Sequence, residues 1–305
     1  MSFKLNKNDA ELLGLFAEYR VLTVGQVVVL VERPLRSVRH RMADLADADL
    51  IAIDRHAYGG GRGCPEGIVS LTPHGIQALG EMRNFDPAIL PAKVSVIPLR
   101  QLGHDILVNW VRLHLRHAAR LIPQLRIRFE VPADAVVQMQ YDRNGKGLAN
   151  SRGQQSFGLI PDGALSIADQ RAGKTVLFFL EVDMSTGSLV SANPGTCSIL
   201  QKIQAYQSFF RSGVYERYER TWGCRLNGFR VLFVTSTHVR LVGLCRLVQQ
   251  APPSDFVWLT DQTRLFEQGV GADVWARGGR IEDRLQSILG PRLAQPTPIH
   301  QEAQE

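Results

Sequence analysis

Glu181-Val182-Asp183 ends an apolar run that begins at Val176, and it sets two carboxylates two positions apart. The run reads as a central strand buried on both faces, and side chains alternate along a strand, so Glu181 and Asp183 project from the same face. A buried carboxylate without a partner is strongly disfavoured or becomes protonated, so a metal ion, a cation or open solvent must compensate the pair. Two neighbouring segments supply further groups. The preceding apolar segment, Leu159 to Ile167, carries Pro161-Asp162-Gly163, a third carboxylate. Downstream, Ile199, Ile203, Tyr206 and Phe210 have helical spacing, which places Lys202 and Tyr206 one turn apart on one helix. One Asp, two further acids and a Lys can thus converge.

Other reactive residues lead less far. His104 and Asp105 sit near the start of a helix, where packing or capping is their ordinary work. His114 and His117, three apart on that helix, have no further ligands nearby and read as surface residues. Cys64, Cys197, Cys224 and Cys245 are scattered, without the spacing of a zinc ribbon or a disulfide framework. No Gly-x-Ser-x-Gly nucleophile turn occurs. The Gly59-Gly60-Gly61-Arg62-Gly63 run lacks both the strand-loop-helix setting of a dinucleotide fold and the Gly-Lys-Ser/Thr ending of a phosphate loop.

The elements that must position these groups begin with three short helices. Leu12, Leu13, Phe16 and Tyr19 share one helical face. Thr23-Val24-Gly25-Gln26 matches a capping box at the start of a second helix. The third begins around Pro34, with Leu35, Val38, Met42 and Leu45 inward and Arg33, Arg36, Ser37 and His40 opposite. A strand from Leu50 to Arg55, a glycine-rich tip containing Arg62, a return strand from Ile68 to Leu71 and a helix capped by Thr72 with Pro73 at its first position follow. That order is the order of a winged helix-turn-helix, whose third helix enters a major groove. The DNA-contact candidates are accordingly Arg33, Arg36, Ser37, His40, Arg55 and Arg62.

Residues 84–98, with three prolines, read as a linker. A helix from Leu99 to Ala118 opens the second domain. Strands follow at Leu125 to Val131, at Pro161-Asp162 and at Glu181-Val182-Asp183. A Lys202 helix, a strand from Phe229 to Val234, a helix from His238 to Gln249 and a strand from Phe256 to Leu259 complete it. A polar loop between Asp142 and Gln155 carries Arg143, Lys146 and Arg152. From Pro291 onward the composition is that of a disordered tail. The domains expected are therefore 1–83, a linker 84–98, 99–290, and a tail 291–305.

The chain has 305 residues, 45% of them hydrophobic, enough for two modest cores. Its 35 Lys and Arg against 29 Asp and Glu give a net charge of +6, which suits a polyanionic partner. The amino terminus lacks the apolar core of a signal peptide, and no stretch approaches the ~20 apolar residues of a membrane span. A cytoplasmic protein without membrane contact is expected.

The helix and strand order, with Pro161-Asp162 on one strand and Glu181-x-Asp183 ending the next, resembles the restriction-endonuclease-like nuclease superfamily. That resemblance implies a PD-(D/E)xK-type α/β domain with a mixed central sheet, in which Asp162, Glu181 and Asp183 hold Mg²⁺, with Mn²⁺ as substitute. Hard oxygen ligands suit that ion. It further implies that the metal activates a water and that a Lys stabilises developing charge on the phosphate. Here Asp183 stands where the superfamily usually has its Lys. Lys202 on the following helix fills that place, with Tyr206 one turn beyond, while Asp183 adds a metal oxygen or holds Lys202.

The whole chain resembles the replication-relaxation family more closely. The features are the winged helix with Leu71-Thr72-Pro73-His74-Gly75, then His104, Pro161-Asp162, and Glu181-Val182-Asp183 through Thr186-Gly187 to Lys202-x-x-x-Tyr206. The resemblance implies a double-stranded-DNA-binding protein of a plasmid or integrative mobile element, acting in replication, relaxation or mobilisation. Two functional readings stay open: an Mg²⁺-dependent endonuclease, or a regulator whose nuclease fold serves binding or dimerisation. A relaxase or replication initiator is a further partner. A homodimer would read two half-sites, though no heptad segment enforces one.

Overall fold

The structure, a computed structural model, describes residues 4–54, 67–84, 99–132, 137–141, 155–185, 189 and 198–299. The chain divides into two compact units, the first within Met1–Leu113 and the second His114–Ile299.

In the first unit, α1 (Lys7–Tyr19) starts at a capping box in which the Asn6 side chain accepts backbone N–H groups and the Asp9 carboxylate accepts that of Asn6. Thr23 and Gln26 form the expected capping box of α2 (Val24–Val31). The next elements are α3 (Leu35–Asp47), β2 (Ile51–Asp54), β3 (Ile68–Leu71) and α4 (Pro73–Arg83), the last capped by Thr72 with Pro73 at its first position. Sequence reading does not find β1 (Leu22–Thr23), whose two residues are set by pairing with β3 rather than by any pattern of their own. The sheet is antiparallel, in the order β1-β3-β2. Leu13, Phe16, Leu22, Val27, Met42, Leu45 and Val69 make its core.

The expected boundary at residue 99 is displaced, because α5 (Leu99–Leu121) begins inside the first unit. Gln26 donates to the Ile106 carbonyl at 2.9 Å, Asn109 to that of Val21 at 2.7 Å, and the Arg112 guanidinium lies 3.9 Å from the centre of the Tyr19 ring. Arg112 is thus held by this ring and by Glu18.

The second unit is a mixed α/β fold. Its elements are β4 (Leu125–Glu130), β5 (Val137–Tyr141), β6 (Gln155–Leu159), β7 (Gly163–Asp169), β8 (Lys174–Asp183), α6 (Ile199–Ser212), α7 (Arg217–Trp222), β9 (Phe229–Thr235), α8 (His238–Gln249), β10 (Val257–Asp261), α9 (Gln262–Gln268) and β11 (Ala276–Arg277). Six strands form one sheet in the order β11-β10-β9-β8-β7-β4, parallel across β8, β9 and β10 and antiparallel elsewhere; β5 and β6 pair separately. Strand β8 lies inside the sheet, and Leu177 to Val182 are buried, as an unbroken apolar run requires. One face of β8, Leu177 and Phe179, packs with Ile203, Tyr206 and Phe209 of α6 and with Leu241, Leu244 and Val248 of α8.

The tail expected from Pro291 is ordered as far as Ile299. Thr297 is fully buried, its N–H donates to the Gln268 carbonyl, and its hydroxyl accepts the N–H of Gly271. Composition suggested disorder, but backbone bonds made by a few residues suffice to fix a polar strap.

Candidate functional site

The site is built on the carboxyl end of β8. The strand expected through Pro161 is interrupted there, since proline has no N–H for the ladder. β6 ends at Leu159 and β7 starts at Gly163, opposite Leu180. Asp162 lies in the gap: its N–H donates to the Leu180 carbonyl at 2.9 Å, and its carboxylate accepts the Val182 N–H at 2.6 Å. The glycine that follows lets the Phe129 ring lie close against the backbone at position 163.

Ser198 and Gln201 cap α6 reciprocally. That start fixes the helix so that Lys202 and Tyr206 face β8. Lys202 Nζ stands 2.5 Å from Glu181 Oε2, and the Tyr206 hydroxyl donates to Oε1 at 2.6 Å. Glu181 is 1% exposed. Burial pushes its carboxyl upward and the nearby Asp162 charge adds to this, while the Lys202 ammonium and the Tyr206 hydrogen bond oppose it; the net direction is up. Tyr206 is raised well above the usual phenol range, by burial first and then by the Glu181 charge.

Asp183 lies on the same face, as alternation requires, yet it turns to a different helix. Arg240 Nε stands 2.5 Å from its Oδ2 and Nη2 3.3 Å from Oδ1, and the Ser185 N–H donates to Oδ1 at 3.1 Å. The expectation that Asp183 holds Lys202 is therefore corrected: Lys202 goes to Glu181, and Arg240, near the start of α8, takes Asp183. Sequence reasoning missed Arg240. The signal was the parallel crossover β9-α8 with Thr237 as cap, which brings the first turn of α8 beside the end of β8.

For a divalent cation the donor set does not fit as arranged. Both oxygens of Glu181 and both of Asp183 accept protein donors, and among the described residues no three of His, Cys, Asp and Glu stand together as a metal group. The physical reason is that each carboxylate on this face meets a cation from its own helix.

On α3, Arg36, Ser37 and His40 are exposed, together with Arg39, which the sequence reading did not single out. The opposite face, Val38, Met42 and Leu45, is buried. Arg33 differs, since its guanidinium bonds Asn8 and Glu11 on α1. The Arg41 fork reaches the fully buried Asp9 with two bonds of 2.6 Å and also touches Asp44. Arg55, Arg62, the Arg143, Lys146 and Arg152 loop and Thr186-Gly187 lie outside the described residues. His104 contacts its neighbour Asp105 at 3.2 Å. His114 is corrected from surface to core: it is 1% exposed and stacks on Phe266, and burial, reinforced by the His117 charge, lowers its pKa to about 4.

These features define a protein with a mixed α/β unit, a closed acid-Lys-Tyr cluster at its central strand, and a small helical unit bearing a basic helix. The particular family follows from comparison: the Replication-relaxation family matches residues 13–223, more than half of the chain. The chain belongs to the replication-relaxation family. Neither the curated proteins nor the solved structures compared with it match the chain. Among the described residues no helix is long and apolar enough to cross a membrane.

Proposed function

We propose that the protein binds double-stranded DNA through its first unit, acting as a winged helix, in the replication or relaxation of plasmid or mobile-element DNA. We assign the carboxylates of the second unit to holding the fold. Family membership supports the process. The amphipathic α3 supports the contact: its apolar face is packed, and Arg36, Ser37, Arg39 and His40 stand outward where phosphates and base edges are read.

One observation carries the choice between a cutting and a non-cutting protein, namely that both oxygens of the buried Glu181 are taken by Lys202 and Tyr206. A carboxylate so engaged is already compensated and needs no metal. The cutting reading draws support from Asp162, which stands near enough to Glu181 to raise its pKa, and from the Lys beside the acid.

Supercoiled plasmid incubated with the protein in Mg²⁺, Mn²⁺ or EDTA separates the two. The expected result is a salt-sensitive gel shift of the plasmid under all three conditions, weakened in Arg36→Ala/His40→Ala, with no nicked or linear product. Metal-dependent product that disappears in Asp162→Ala and Lys202→Ala would establish cleavage instead.

A further inference from the structure

Arg230, on β9, is a cation drawn partly out of water. Its side chain is half-buried, with the guanidinium 4.5 Å from the centre of the Trp258 ring and 5.8 Å from that of Phe178. Strand register explains the grouping. Phe178 of β8 stands beside Arg230, and Arg277 of β11 stands beside Trp258. Trp258 is the neighbour of Leu232, two residues after Arg230 and so on the same face of β9. Phe178, Arg230, Trp258 and Arg277 therefore form one row on a single face of the sheet.

Among the described residues no carboxylate meets Arg230. Burial holds its pKa below the ordinary value, and the one charge acting on it is a second cation, Arg277. The nearby acids are engaged: Asp255 takes Arg280 at 2.8 Å and Arg277 at 3.5 Å, and Asp283 takes Arg280 at 3.5 Å. An arginine standing free in solvent is satisfied by water and needs no anion. Arg230 differs, because its ring contacts displace water and a buried charge without a counter-charge is costly. None of its nitrogens is among the unpartnered polar atoms sealed from solvent, so an anion can reach the group.

An arginine can lie over an aromatic ring and still present its N–H fork to an oxyanion. We propose that Arg230 and Arg277, beside Trp258, form a binding site for a phosphate group. Arg230 supplies the fork and Arg277 the second positive charge. Phosphate suits the pair better than a carboxylate does, since it carries more negative charge and enough acceptor oxygens to meet both guanidinium groups. Trp258 is only 3% exposed, so it fixes Arg230 and does not stack on a ligand. The site stands apart from the α3 contact and does not depend on it.

The test is isothermal titration calorimetry of the full chain with inorganic phosphate, at an ionic strength held constant with NaCl, and with acetate as the carboxylate comparison. The wild type should bind phosphate saturably and more tightly than acetate. Arg230→Gln should weaken phosphate binding by about tenfold, the loss of a hydrogen bond between charged groups. Arg277→Gln should weaken it less. Arg284→Gln removes the same charge from an exposed arginine that pairs with Asp273, and should leave binding unchanged. Phosphate should also raise the melting temperature of the wild type and not that of Arg230→Gln. Adenosine monophosphate separates the sources: tighter binding than inorganic phosphate assigns a phosphate ester, and equal or weaker binding assigns the free ion. If Arg230→Gln does not fold, Arg277→Gln, at an exposed position, carries the comparison. No saturable phosphate binding, equal affinity for acetate, binding undiminished in both variants, or an equal loss in Arg284→Gln would overturn the site.

Discussion

Glu181 is the side chain in which burial and compensation meet most directly. Lys202 and Tyr206 each bond one of its oxygens, so removing either leaves an acceptor unmatched in the core. Tyr206→Phe should destabilise the protein by about 2 kcal/mol, the range for a hydrogen bond to a charged group. Lys202→Met should cost about 3 kcal/mol at neutral pH, at the low end for a broken buried pair because the Lys side chain is 26% exposed. The Glu181 carboxyl then titrates still higher, so the Lys202→Met loss should shrink as pH falls and the carboxyl takes up a proton. Urea unfolding at neutral and mildly acidic pH checks both variants. His114 gives an opposite dependence. Its folded pKa, about 4, is below the ordinary 6.5, so the unfolded chain binds the proton first as pH falls. Stability should decline between pH 6.5 and 4 by about 3 kcal/mol, and His114→Phe, which keeps the stack on Phe266, should remove that slope.

Among the elements, α3 depends on α1 for its position. Asp9 closes the capping box of α1 and at the same time receives the Arg41 fork from α3, so one buried carboxylate serves a helix terminus and a helix-helix contact. Burial alone would raise Asp9, but the Arg41 hydrogen bonds and the Asn6 N–H outweigh it and hold the carboxyl below its usual value. Its stabilisation is therefore present above the ordinary carboxylate pKa and lost as pH falls through the lower folded one. Arg41→Met should destabilise the first unit by about 3 kcal/mol and weaken DNA binding. Arg41→Lys should recover only part, since an ammonium cannot reproduce the two-pronged bond. Thermal melts and gel shifts read the two effects; binding lost with no change in melting would instead make Arg41 a direct DNA contact. Much of this level was legible in the chain. The caps at Thr23 and Thr72 and the apolar run of β8 specify local structure through nearest neighbours, and those elements fall where the pattern put them. β1 and α9 were not legible, because two residues beside β3 and seven residues after β10 owe their form to what they pack against.

For the molecule as a whole, membership in the replication-relaxation family and the mixed α/β architecture agree with the motifs spread from Leu71 to Tyr206. The net charge of +6 did not by itself say where the excess lies. Folding places Arg277 and Arg280 beside Asp255, more than twenty positions back along the chain, which no count of charges reveals. What the sequence determined by itself is what short-range periodicity and capping govern: the capped helices α2 and α4, the apolar central strand, and the placing of Lys202 and Tyr206 one turn apart on one helix. What only the tertiary structure decided is which charge compensates which. Arg240 reaches Asp183 from 57 positions away, and Arg41 reaches Asp9 from 32. Such pairs form because the folded chain brings distant groups together where water is excluded, and a carboxylate there must take whichever cation the packing delivers.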